Sequence, residues 1–223
     1  MNLKKFKKND IFFILMNKKK QKIILFFLFS FSAYCAIIIG KSWDEGYHLL
    51  QGKSTLTYLF SLGRIDNYFW GREYYSAFYW SLQYLFTTIF PAKYQVESSH
   101  LLNLIFSFLA IIGIGQIGKE LFNKKVGKII FLVLFFYPIF FGHMSMNSSD
   151  TIIAFGHVWI TLLVLKYLKN QHRKDKSSIN TYPIIIGILA ALSTGVQIFF
   201  LASLAAVILF ILFEIFLFKK IIS

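Results

Sequence analysis

Apolar runs separated by short basic or polar stretches set the plan of this chain. Residues 23–40 carry no charge and, as a helix, rise about 27 Å, close to what a bilayer core demands. Further runs of this kind predict spans at 100–118, 129–141 (interrupted by Pro138), 151–168, 182–194 and 199–218. Residues 74–90 differ: they are strongly aromatic, are sprinkled with Ser76, Ser81, Gln83, Thr87 and Thr88, and end before Pro91. That mixture predicts a helix lying in the membrane interface rather than crossing it. The expected fold is therefore all-α and polytopic. It has about six transmembrane helices, with amphipathic interfacial helices in a first outside loop at 41–97 and a second outside loop at 142–150. Residues 1–22 form a basic leader, and 23–220 a single membrane domain. The leader with 23–40 resembles a signal peptide, but Tyr34 before Cys35 meets the small-residue rule for cleavage poorly, so an uncleaved first span is expected.

Charge fixes the expected orientation. With the leader inside, nineteen of the 24 Lys and Arg residues fall in inside segments, which is the asymmetry membrane insertion favours. Lys41, Lys53, Arg64, Arg72 and Lys93 are left outside, together with Asp44, Glu45, Asp66, Glu73, Glu97 and Asp150. A seventh span at 74–90 would turn the basic loops near Lys119 and Lys166 outward, so six is the better count. The net charge of +14 does not imply nucleic acid, because the cations sit in short loops between apolar runs. The hydrophobic fraction of 57% and 27 phenylalanines exclude an ordinary soluble domain. Cys35 is the only cysteine, so no intramolecular disulfide can form. The chain is expected in the cell membrane, multi-pass, with a cytoplasmic N-terminus.

The stretch with the most chemistry is Lys41-Ser42-Trp43-Asp44-Glu45-Gly46-Tyr47-His48, where the first apolar run stops. A carboxylate at mid-bilayer costs roughly 2.5–3.5 kcal/mol, a cost that largely disappears at the membrane edge. Asp44 and Glu45 can thus stay ionised and face a lipid-borne substrate; the plain alternative is an interfacial Trp and Tyr with charges that merely end a span. Asp44 and His48 are four apart and share a helix face, so a divalent metal with Glu45, and with His143 and Asp150 as further ligands, is an open possibility. Gly113, Gly115 and Gly118 spell a dinucleotide-binding fingerprint but follow no strand; close packing of helices explains them better. His157 and Gln197 read as helix–helix contacts, Glu214 as a snorkelling group near Lys219, and Asn147-Ser148-Ser149 as a sequon pressed against the membrane.

Two of these stretches carry a resemblance. Trp43-Asp44-Glu45-Gly46-Tyr47 after a first span, followed by a long outside loop, resembles the GT-C glycosyltransferases, polytopic enzymes that use polyprenyl-phosphate sugars. Protein O-mannosyltransferases and the lipid A aminoarabinose transferase are examples. The run from Tyr137 to Asp150, with Pro138, Gly142, His143, Asn147 and Asp150, is similar to a second-outside-loop segment of some members, with Ser148 and Ser149 where the family often has Pro and Lys. The loop from Glu120 to Gly127 also looks like the family's connection between spans two and three. The resemblance implies the N-terminal half of such an enzyme. It implies a sugar moved from a polyprenyl-phosphate donor to a lipid, glycan or protein acceptor on the outer face. In that reading Asp44 is the base and Glu45 orients the acceptor or holds a metal. His48 positions the donor, and Arg64 and Arg72 meet charge growing on the phosphate. His143, Asn147 and Asp150 complete substrate binding from the second loop.

Two other classes stay open. A lipid or solute transporter would want ionisable groups at mid-membrane and repeated halves, and the sequence has neither. A non-catalytic or truncated membrane relative of the transferases would keep the same layout without the reaction.

Overall fold

A computed structural model describes residues 18–65, 78–170, 177–213 and 216. Residues 1–17 of the leader, Asp66, Arg72, Glu73 and Glu214 lie outside the described residues. Every regular element among the described residues is a helix: α1 Lys18–Ile38, α2 Glu45–Phe60, α3 Phe78–Thr87, a 3-10 turn Ala92–Tyr94, α4 Gln95–Leu121, α5 Lys124–Phe135, α6 Pro138–His143, α7 Ser148–Asn170, α8 Ser177–Val196, α9 Phe200–Ser203 and α10 Ala205–Phe213. The all-α membrane class expected from the apolar runs is the observed one.

Among the described residues three helices are long and apolar enough to cross a bilayer: Lys19–Ile38, Ala92–Leu121 and Ser148–Asn170. The apolar run that contains Pro138 is broken. Tyr137 precedes a proline, which excludes it from the helical basin; it sits at φ −71°, ψ 113°, so α5 stops and α6 restarts with Pro138 in its first turn. The expected run 129–141 is thereby two helices. In the run 199–218 only Leu204 separates α9 from α10, and it keeps helical angles (φ −76°, ψ −10°), beside the Ser203 carbonyl that His157 Nε2–H reaches at 3.1 Å. Helix α3 has ten residues, about 15 Å, too short to span. It packs instead on α2 and α4.

Helix α4 is the hub, in contact with α1, α3, α5 and α7. Phe108 on α4 meets Phe29, Phe131 and Phe135 edge-on at 5.2, 6.0 and 6.2 Å, uniting α1, α4 and α5. Lipid tails are as apolar as these side chains, so burial alone does not drive helices together; close backbone approach does. The glycines of the apparent nucleotide fingerprint serve that purpose. A Cβ on Gly113 would strike Val158 of α7, and one on Gly118 would strike Ile130 of α5. Gly127 of α5 lies directly against the Gly115 carbonyl of α4. At the far side of the bundle, Gly52 of α2 abuts the Trp80 carbonyl of α3.

Gly127→Ala is expected to force α4 and α5 apart at a cost of about 1–3 kcal/mol, seen as a lower unfolding temperature of the purified protein in detergent. Gly187→Ala, with nothing within 4 Å of the new methyl group, is the control and should be neutral or slightly stabilising. Equal losses in the two variants would contradict the tight α4–α5 seam.

Candidate functional site

The site is built at the corner where α1 ends and α2 begins. Ile39 N–H closes the last turn of α1 on Cys35 O at 3.0 Å, and the chain then turns through Gly40 to Asp44. Asp44 is the residue before α2 and Glu45 opens its first turn, where the helix dipole favours negative charge. Trp43 is fully exposed beside them, as an interfacial anchor would be.

The two neighbouring acids have opposite fates. Glu45 faces inward and is 2% exposed. Its Oε2 accepts from Ser42 N–H at 2.8 Å, and its Oε1 is in close contact with His100 Nε2 of α4. His100 is fully buried, and its Nδ1 lies 2.8 Å from Ala36 O. A carbonyl can only accept, so Nδ1 carries the hydrogen there. The His100 ring thus ties α1, α2 and α4 together through polar contacts in an apolar setting.

Asp44 faces outward, with 58% of its side chain exposed. Ser42 Oγ–H donates to its Oδ1 at 2.9 Å, and His48 Nε2 stands 3.7 Å from its Oδ2. His48 is only 14% exposed and stacks on Trp80 of α3, centroids 4.3 Å apart and planes within 14°. Its Nδ1 lies 3.1 Å from Ser148 Oγ, at the start of α7. Trp80 Nε1–H also donates to that hydroxyl, at 3.3 Å. With Trp80 donating, the Ser148 hydrogen is free to go to Nδ1, which leaves Nε2–H directed toward Asp44. Burial holds the His48 pKa below its usual value, although Asp44 and then Glu45 pull the other way. His48 is therefore a neutral imidazole near pH 7.

Of the residues singled out from sequence, Asp44 and His48 meet, and Glu45 lies behind them. Asn147 and Asp150 pair with each other: Asn147 Nδ2–H donates to Asp150 Oδ2 at 2.9 Å, and Asp150 N–H to Asn147 Oδ1 at 3.2 Å. They flank Ser148, so the second loop does reach the corner. His143 is exposed at the end of α6. Arg64 lies past the opposite end of α2, about 24 Å along the helix from Asp44. It is not beside the acids, and Arg72 lies outside the described residues. Among the described residues no group of three or more His, Cys, Asp or Glu is placed to hold a metal ion.

Sequence reasoning missed His100, Trp80 and Lys41. The signal for His100 was present. Ser99, His100, Asn103 and Ser107 recur at helical spacing inside an apolar run, and all four are buried. Asn103 Nδ2–H donates to Ser145 O at 2.8 Å and Ser107 Oγ–H to Met144 O at 2.7 Å, which pins the second loop to α4. Tyr79 and Gln83 of α3 join the same network through Asn103, and burial raises the Tyr79 pKa well above its usual value. Lys41 Nζ packs over Gly46, where a Cβ would come within 2.6 Å of it, so its ammonium stands beside the first turn of α2.

No family model, no curated protein and no solved structure matches this chain.

The lowered His48 pKa gives a sign. Unfolded His48 takes up a proton near pH 6.5, and the folded protein does so only at lower pH. The stability contributed by the neutral ring is thus complete above about pH 6.5 and is lost as pH falls through the folded-state value. Unfolding temperature measured between about pH 8 and pH 5 should fall in the wild type and fall less in His48→Gln. Parallel curves would show that His48 is not held neutral by its burial.

Proposed function

We propose that this chain is a membrane glycosyltransferase of the GT-C type, moving a sugar from a polyprenyl-phosphate donor to an acceptor hydroxyl at the outer face of the membrane. The observation that carries the reading is the contact between His48 and Ser148. These residues are 100 positions apart, and they bring together the two stretches on which the resemblance rests, beside an exposed carboxylate. The surrounding three long apolar helices suit a lipid-borne donor. The distribution of basic residues favours a cytoplasmic N-terminus in the cell membrane, with the Asp44 corner on the other side.

Asp44 is the base. Its exposed carboxylate takes the proton of the acceptor hydroxyl as that oxygen attacks the anomeric carbon. The bond from that carbon to the phosphate oxygen breaks, and the lipid phosphate leaves with the electron pair. A single displacement inverts the anomeric centre. Ser42 Oγ–H, 2.9 Å from Oδ1, holds the Asp44 rotamer, and neutral His48, fixed by Trp80 and Ser148, turns its Nε2–H toward the other oxygen from 3.7 Å. Glu45 is turned inward, so its part is to seat the corner through His100 rather than to touch substrate. Lys41, whose ammonium stands over the first turn of α2, is the cation placed to meet charge growing on the leaving phosphate, the role first given to Arg64 and Arg72.

Transfer of labelled sugar from a polyprenyl-phosphate donor pool, measured in membranes, tests this. Asp44→Asn should lower the rate about 100-fold or more with insertion intact. Lys41→Gln should lower it by about 100-fold, since it removes one stabilising charge. Equal rates in wild type and Asp44→Asn would remove Asp44 from the reaction. No transfer by the wild type across a broad donor and acceptor panel would instead favour a non-catalytic membrane protein.

A further inference from the structure

A donor and an acceptor at the Asp44 corner stand side by side without bonding to each other. His48 Nε2 carries a hydrogen and lies 3.7 Å from Asp44 Oδ2. That is beyond the roughly 2.7–3.2 Å of an N–H···O hydrogen bond. Neither group is free to close the gap. The His48 ring lies flat on Trp80, planes within 14°, and its Nδ1 is tied to Ser148 Oγ at 3.1 Å. The carboxylate is held at its other oxygen by Ser42 Oγ–H, at 2.9 Å. Among the described residues no other group bonds to Nε2 or to Oδ2. The donor sits on a half-buried ring and the acceptor on a carboxylate open to solvent.

One chemical group meets both atoms at once. A hydroxyl oxygen donates one hydrogen bond and accepts another. Placed about 2.7 Å from Oδ2 and about 2.9 Å from Nε2, it completes a triangle whose third side is the 3.7 Å gap. Other groups meet only half of the demand. An ammonium has hydrogens for Oδ2 but no lone pair for Nε2–H. A carboxylate has lone pairs only, and its charge is repelled by Asp44. A thiol can give its hydrogen to Oδ2, but its sulfur is a weak acceptor.

We propose that the acceptor hydroxyl binds astride Asp44 Oδ2 and His48 Nε2–H, so that His48 touches the reacting oxygen and selects alcohols over thiols and amines. The inference rests on the transferase reading and adds a substrate contact to it. The acceptor oxygen attacks the anomeric carbon with one lone pair, while the other keeps the bond from Nε2–H. Its hydrogen passes to Oδ2 as the new carbon–oxygen bond forms. The bond from the anomeric carbon to the phosphate oxygen breaks, and the lipid phosphate leaves with that electron pair. Nε2 keeps its hydrogen throughout. The ring thus starts and ends neutral, in keeping with the burial that holds its pKa below the usual value.

The test measures transfer of labelled sugar from a polyprenyl-phosphate donor pool, in membranes, to an alkyl alcohol and to the alkyl thiol of the same chain length. A base acting alone would favour the thiol, whose proton is more easily removed. The wild type should instead transfer to the alcohol about 10-fold faster or more, because only the alcohol accepts well from Nε2–H. Transfer to the thiol at an equal or higher rate would overturn the proposal without any variant having to fold. In His48→Phe a flat ring still faces Trp80 but has no N–H. Its rate with the alcohol should fall about 10-fold and its rate with the thiol less than about 2-fold. His48→Gln, which keeps a side-chain N–H, should recover part of the preference for the alcohol. Equal falls for the two acceptors in His48→Phe would overturn the contact and leave His48 a packing residue. No transfer by the wild type to either acceptor would overturn the transferase reading itself, and this contact with it.

Discussion

The contact of His100 with Glu45 on one side and the Ala36 carbonyl on the other is what the Asp44 corner depends on. Three segments that have no covalent reason to be near each other meet at one ring. The carbonyl at the end of α1 would otherwise be an unsatisfied acceptor in a dry corner, and Glu45 a buried acid held only by Ser42 N–H. Because each satisfies the other through His100, α2 starts where it does, and Asp44 is turned outward instead of inward. Removing one member of such a buried pair costs about 3–5 kcal/mol, because the charge or proton left behind has nowhere to go. The position of His48 is a consequence. One turn along α2, it meets Trp80 and Ser148 only because the first turn has been fixed.

Helix α4 does two different jobs along its length. Near its start, Ser99, His100, Asn103 and Ser107 make hydrogen bonds to α1, α2, α3 and the second loop. Farther along, Gly115 and Gly118 let α5 approach until backbones touch. Both devices answer the same difficulty: inside a bilayer there is little hydrophobic gain in pressing one apolar helix on another, so polar contacts and close packing must supply the specificity. The glycine seam at Gly115 and the His100–Glu45 contact therefore lie toward opposite ends of one structural element.

Much of the fold was legible because bilayer thickness sets helix length. The runs at 100–118 and 151–168 each lie within a long helix that extends beyond them where polar residues continue it, and the run at 23–40 coincides with a third except for its last two residues, which follow the helix end at Ile38. The interruption of 129–141 was legible too, because a proline restricts the residue before it, and Pro138 is where α6 begins. The glycine fingerprint was read correctly as packing, since its context held no strand. For the site, Asp44 and His48 could be paired from helical spacing, but their union with Ser148 depends on tertiary placement that no local pattern encodes. Arg64 was placed near the acids because the loop was treated as a unit, whereas α2 carries it to the far end. His100 went unnoticed even though a histidine within an apolar run needs a partner.

The His100–Glu45 contact holds the start of α2 against the segment that leads into α7, with His48 on Ser148. Disulfide formation between His48→Cys and Ser148→Cys, in a Cys35→Ser background under mild oxidation in membranes, measures that directly. The account predicts rapid cross-linking of this pair, none for Arg64→Cys with Ser148→Cys, and a marked slowing of the first when His100→Ala is added. Cross-linking of the two pairs at the same rate, or no effect of His100→Ala, would contradict it.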